Sequence, residues 1–108
     1  MQVQIENLEN ITKQLLGAAN SRNICSLKLA GENGYRMVHI HGIYITKQGA
    51  PTILCWQKSG YSKGGSSEGY KNLFLERCEN VLVLSRKFAK RRDFDPQDSK
   101  YGQWLFHI

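Results

Sequence analysis

The chain has no pair of cysteines from which to build a framework. Its three cysteines, Cys25, Cys55 and Cys78, are odd in number and form no CxxC, which fits neither a disulfide scaffold nor a zinc knuckle. Each lies inside an apolar run (NICSLKL, TILCWQ, LERCENV). The expectation is three reduced, mostly buried thiols acting as small hydrophobes. No apolar run approaches the length of a membrane span. The N-terminal MQVQIENLENITKQLL has no basic stretch followed by an unbroken apolar one, so no secretory signal is expected. These absences imply a soluble, cytoplasmic protein with no membrane partner. Catalytic templates are mostly missing as well: the sequence contains no GxxxxGKS or GxxxxGKT, and no HExxH. A catalytic cysteine would need a base that no motif supplies. The chain is therefore not expected to be an enzyme, and no cofactor is implied.

Acidic residues are scarce. Nine Asp and Glu against fifteen Lys and Arg leave a net charge of +6, a field that attracts phosphates and other anions. The cations are unevenly placed. Arg86, Lys87, Lys90, Arg91 and Arg92 crowd the segment SRKFAKRR, while Lys58, Lys63 and Lys71 bracket a glycine-rich stretch, GYSKGGSSEG, at 60–69. A run of charge reads either as a solvated face or as a track for a polyanion. Trp56, Tyr61 and Tyr70 lie close by in sequence as stacking platforms for single-stranded nucleic acid. Arg86, Lys87, Lys90, Arg91, Arg92 and Lys63 are accordingly the candidate nucleic-acid-binding residues.

At 108 residues the chain reads as one domain that can bury a single core. Residues near 3–20 predict a helix. Leu8, Ile11, Leu15 and Ala18 form one stripe with Ile5 and Leu16 beside it, and Gly17 and Asn20-Ser21 mark the end. That stripe must lie on the rest of the domain or on a partner, including a second copy. The pattern then shortens to period two. Ile24–Leu29, Tyr35–Tyr44 (bent at Gly42), Thr52–Gln57, Lys71–Arg77 and Val81–Leu84 read as five strands. Turn chemistry at Gly31-Glu32-Asn33-Gly34 and at Lys47-Gln48-Gly49-Ala50-Pro51 separates the early ones. The tail DFDPQDSKYGQWLFHI adds a final strand or packs back. Short strands with close turn signals predict a mainly β fold with an N-terminal helix, a small antiparallel barrel. The helix occupies 1–20 and the barrel 21–108.

Three groups of residues remain as site candidates. The glycine stretch lies between strands, where no helix N-terminus aims at an anion; it is a nest of backbone N–H groups or a slack hairpin loop. His39 and His41 alternate along a strand and share a face, but no third ligand accompanies them, so no metal is expected. His41 reads as a hydrogen-bonding residue at the surface or at a pocket rim. Arg36 lies at the start of the second strand, Lys71 opens the fourth and Arg77 lies near its end; these long cations converge on an anion or stand separately at the surface.

The chain resembles short bacterial members of the WYL-domain family between about Ile24 and Asp98. Arg36-Met37-Val38 with His41 is similar to the strand presenting the family's arginine. Trp56-Gln57-Lys58-Ser59-Gly60-Tyr61-Ser62, after the turn at 47–51, is similar to its "Q-S-G" segment. Tyr70-Lys71-Asn72-Leu73-Phe74-Leu75-Glu76-Arg77-Cys78 is similar to "W-R-x-F-x-L-D-R/K-I", and Phe88 with Phe94-Asp95-Pro96-Gln97-Asp98 to the closing "F…Y-N-P-x-D". The resemblance implies a Sm-like, SH3-type barrel and a regulatory, ligand-sensing role with a nucleotide-like or nucleic-acid ligand, of the kind found in transcription regulation and phage defence. It implies Arg36, His41, Gln57, Ser59, Lys71 and Arg77 as ligand-binding residues. The Trp-Tyr-Leu tripeptide is replaced by Thr52-Ile53-Leu54-Cys55-Trp56, and no helix-turn-helix precedes the strands. A single N-terminal helix is too little to read a major groove.

Overall fold

The computed structural model describes residues 2–64 and 67–108, with side chains from residue 7 onward. Ile5 of the helical stripe and residues 65–66 of the glycine stretch fall outside that description. The elements in chain order are α1 (Gln2–Ser21), β1 (Asn23–Leu29), β2 (Tyr35–Ile45), β3 (Pro51–Gly60), β4 (Gly69–Phe74), a 3-10 turn (Leu75–Arg77), β5 (Cys78–Lys87) and β6 (Gln103–His107).

The helical stripe faces inward as its spacing requires. Ile11, Leu15, Ala18 and Ala19 are buried against β1, β2 and β5, with Leu8 partly buried beside them, whereas Leu16, off the stripe, is exposed. Arg22 ends the helix with a positive φ, its N–H donating to the Ala19 carbonyl at 3.1 Å. Cys25, Leu27 and Leu29 of β1, Val38 and Ile40 of β2, and Ile53 and Cys55 of β3 complete the core under the helix. They alternate with residues on the opposite face.

All strand pairings are antiparallel, in the order β4-β3-β2-β1-β5, with β6 added to β2. Strand β2 makes this branching possible. Its 35–38 segment pairs with β1, its 42–45 segment pairs with β6, and β3 runs along its other edge. The handover occurs at the predicted bend. The register against β3 passes from Ile40–Cys55 to Gly42–Leu54, leaving His41 as the extra residue of a bulge. A Cβ on Gly42 would meet the Phe106 carbonyl oxygen at 2.5 Å and the Trp104 ring at 2.6 Å, so only glycine lets β6 approach there.

The mainly β fold with its N-terminal helix matches the expectation. The six strands form one sheet that is not closed into a barrel: among the described residues β4 and β5, at its two ends, are not paired with each other. Several predicted boundaries also move: the third strand runs on to Gly60, and the fourth and fifth begin earlier, at Gly69 and Cys78. The fourth strand stops at Phe74, because the chain there winds into the 3-10 turn that buries Leu75. The fifth runs to Lys87, held along β1, with Asn23 Nδ2 donating to the Leu84 carbonyl at 2.7 Å. The tail supplies the expected final strand. On the sheet face away from α1, Tyr44, Leu54 and Phe94 form a second core with Tyr70, Tyr101 and Trp104, and Trp104 Nε1 donates to the Pro96 carbonyl at 2.8 Å.

Candidate functional site

Two polar clusters lie on opposite faces of the sheet. On the face toward the main core, Arg36 and Gln57 meet: Arg36 Nη1 donates to Gln57 Oε1 at 2.8 Å. The rest of the guanidinium is taken by Glu32, with Nε to Oε1 at 2.9 Å and Nη2 to Oε2 at 2.6 Å. Both side chains are buried. Hydrogen bonding from Arg36 holds the Glu32 carboxyl below its ordinary range, with further help from the charges of Arg77 and Lys28. Glu32 in turn raises the Arg36 pKa. Gln57 Nε2 donates to the Tyr61 carbonyl at 2.7 Å, and the Arg36 guanidinium lies 5.4 Å from the centre of the Tyr61 ring. The network is fully satisfied, and the anion in it is the chain's own.

The opposite face carries an aromatic and cationic platform. Cross-strand register puts His39 of β2 beside Trp56 of β3, and Trp56 beside Tyr70 of β4. Trp56 and Tyr70 pack edge to face at 5.2 Å. The segment after β5 crosses this row. Arg91 sets its guanidinium carbon 3.5 Å from the centre of the Trp56 ring. Asp93 grips the same guanidinium in a fork, Nε to Oδ1 and Nη2 to Oδ2 both at 3.0 Å, and also accepts the Tyr70 hydroxyl at 2.6 Å. With Nε and Nη2 committed to Asp93, the Arg91 guanidinium is held over the indole. The bonds from Arg91 and Tyr70 hold Asp93 down at about 2. Burial, then the bond to Asp93, pushes the Tyr70 phenol up to about 12.

His41 fastens this crossing segment. It is fully buried, with Phe88, Phe94 and Tyr70 around its ring. The Arg91 backbone N–H donates to His41 Nε2 at 3.1 Å, so that nitrogen carries no proton, and Nδ1–H donates to the His39 carbonyl at 3.0 Å. Burial keeps the imidazole neutral by lowering its pKa, and the charges of Arg91, Lys90 and Arg22 act in the same direction. His39 shares the face, as alternation predicts, and stacks on Phe88 at 4.7 Å. Among the described residues no group of three potential ligands could hold a metal ion.

The six residues implied as ligand-binding do not form one cluster. Arg36 and Gln57 are joined, and Lys71 stands opposite Cys55 on the same face. Ser59 is exposed, at the register position of Met37. Arg77 is exposed and donates to the Ala30 carbonyl at 2.6 Å, near Glu32. His41 belongs to the other face. Of the candidate nucleic-acid residues, Arg91 is stacked on Trp56, Lys90 lies 5.7 Å from the Phe94 ring centre, and Lys87 donates to the Ser21 carbonyl at 2.8 Å. Lys63, Arg86 and Arg92 are exposed and make no ion pair among the described residues.

The glycine stretch is tied down at its base. The Tyr61 N–H donates to the Tyr35 carbonyl at 2.9 Å, and Lys58 pairs with Glu68 at 3.1 Å across the loop. Sequence reasoning missed two residues, Glu32 and Asp93. Glu32 reads as turn chemistry, although it precedes Arg36 by four positions; Asp93 lies two beyond Arg91, in a stretch that reads as tail. Comparison with protein-family models, with curated proteins and with solved structures finds no match.

Proposed function

We propose that the protein is a non-enzymatic binding module that takes single-stranded nucleic acid across the platform of Trp56, Tyr70 and Arg91. The observation that carries this reading is the guanidinium of Arg91 lying on the Trp56 indole while Asp93 occupies its hydrogen-bonding edge. The outward plane of Arg91 then extends the aromatic stack by one layer, and a nucleobase stacks on such a plane whatever its sequence. Lys63, Lys90 and Arg92 supply charge for the phosphates. The net charge of +6 draws the polyanion in. Buried thiols support a non-enzymatic reading, since burial pushes Cys25 and Cys55 up to about 12 and Cys78 to about 11, which leaves none of them a nucleophilic thiolate.

The alternative, a nucleotide-like ligand received by Arg36, Gln57, Lys71 and Arg77, would have to displace Glu32 from a buried two-pronged pair, which disfavours it. The finer fold assignment is also a proposal: an open relative of the Sm-like, SH3-type barrel implied by the WYL-like segments. The bulge in β2 and the 3-10 turn between β4 and β5 support it, because both turn a sheet toward closure.

The test is fluorescence anisotropy of labelled single-stranded oligonucleotides, with a duplex as control, for wild type, Arg91→Ala and Trp56→Leu. Each variant is expected to lose about 1–3 kcal/mol, the range for one stacked base. Wild-type log affinity should fall with log salt by roughly 0.7 per phosphate contacted. Equal binding by all three proteins, or none at low salt, rejects the platform.

A further inference from the structure

His41 does more than fill space beneath the platform. Its Nε2 is the acceptor for the backbone N–H of Arg91, the residue whose side chain forms the upper layer of the stack. The ring has no freedom to trade roles, because Nδ1–H is already given to the His39 carbonyl. A proton on Nε2 would set one N–H against another and leave the Arg91 amide without an acceptor. We propose that His41 is a positioning residue for the Trp56–Arg91 platform, a neutral imidazole whose protonation releases the Arg91 backbone and weakens ligand binding. The proposal rests on the platform reading above.

Burial and the nearby cations favour the neutral ring and outweigh the hydrogen bond to the His39 carbonyl, which favours the protonated one. Arg91 and Lys90 face it from the crossing segment and Arg22 from the end of α1. Tyr70 approaches from β4 with its hydroxyl committed to Asp93. His39 on the same strand is itself shifted down by burial and by His41. From β6, His107 stands at the register position of Gly42, and Ile108 N–H donates to the His41 carbonyl at 2.9 Å. Phe88 and Phe94 close the remainder of the ring's environment. Among the described residues no carboxylate hydrogen-bonds the ring or pairs with it; Asp93 is held by Arg91 and Tyr70. The expected direction is therefore opposite to that of a histidine lying under a polyanion, which would gain affinity on acidification.

The first measurement needs no ligand. In a nitrogen-15 NMR titration of the wild-type protein, His41 is expected as the Nδ1–H tautomer, titrating below the ordinary histidine range. The Arg91 amide and the Trp56 indole N–H are expected to shift with the same midpoint. An Nε2–H tautomer, or an Arg91 amide that stays still as His41 titrates, overturns the proposal. The second is anisotropy with a short labelled oligothymidylate between about pH 8 and about pH 5. Wild-type affinity is expected to fall toward the acid end, with a limiting loss of roughly tenfold once His41 is protonated, about one stacking contact. His41→Gln, which keeps an acceptor without a titratable proton, flattens that profile, although His39 is still present. His41→Phe, which removes the acceptor, weakens binding at every pH. Affinity that rises on acidification, or a profile unchanged in His41→Gln, overturns the proposal; if His41→Gln does not fold, the sign of the wild-type profile and the NMR titration decide. Absence of binding at all pH values with the NMR coupling intact rejects the nucleic-acid reading and upholds the hold of His41 on Arg91.

Discussion

Glu32 and Arg36 face each other across the turn between β1 and β2 and make a forked ion pair at 2.9 and 2.6 Å, with both side chains buried. Removing one member of such a pair strands the other charge in a poorly hydrated place. Glu32→Ala is expected to cost about 3 kcal/mol by urea denaturation, and the double variant with Arg36→Met less than the sum of the single losses. Additive losses would show that the two residues act separately. The pair also sets a sign for acid stability. The Glu32 pKa is lowered in the folded state, so its contribution is present above the ordinary carboxylate range and is lost as pH falls through the folded value. In Glu32→Gln that part of the acid dependence should vanish.

Gly60 and Gly49 both adopt positive φ, 105° and 88°, but their surroundings differ. A Cβ on Gly60 would collide with the Tyr35 carbonyl oxygen, whereas nothing lies within 4 Å of one on Gly49. Gly49→Ala is expected to cost about 1 kcal/mol, the conformational penalty alone. Gly60→Ala is expected to cost about 2–3 kcal/mol, since the backbone must also shift. Equal effects in thermal unfolding would mean that the close approach of β2 and β3 at Gly60 is not a constraint.

Ile11 sits in the middle of the buried stripe of α1 at 3% exposure. Ile11→Asp puts an unpaired charge into the core and is expected to cost more than about 3 kcal/mol. Leu16→Asp, on the exposed side, is expected to change stability by less than about 0.5 kcal/mol. An Ile11→Asp protein that melts with the wild type would show that the helix does not depend on the sheet.

The three thiols are buried and free, and burial raises all of them. Thiol titration at neutral pH is expected to label the native protein slowly and to find three groups once it is unfolded. Rapid native labelling of Cys55, which is fully buried, would mean that β3 does not lie between β2 and β4.

Local pattern carried much of the fold. The stripe of Leu8, Ile11, Leu15 and Ala18 specifies a helix with one buried side because those spacings coincide on a helix surface. Turn residues at 31–34 and 47–51 delimit the early strands for equally local reasons. Cysteines embedded in apolar runs are buried because those runs form the core. The site was less legible. Arg36, Gln57 and Arg91 stood out as side chains of the right type, yet what each one does depends on a partner outside its own stretch or hidden as something else within it.

The sequence by itself determined a helix-plus-sheet fold with its turns and its buried thiols, which follow from short-range periodicity and hydrophobicity, and a basic charge balance, which follows from composition. Only the tertiary structure decided that β6 takes the free half of β2's edge, that the sheet stays open, that Glu32 is Arg36's anion and that Arg91 lies on Trp56. The physical reason is that a strand edge offers the same N–H and C=O groups to every candidate partner. Which segment pairs there, and which side chains then meet across it, is settled by bulges, close glycine approaches and shared burial, summed over residues far apart in the chain.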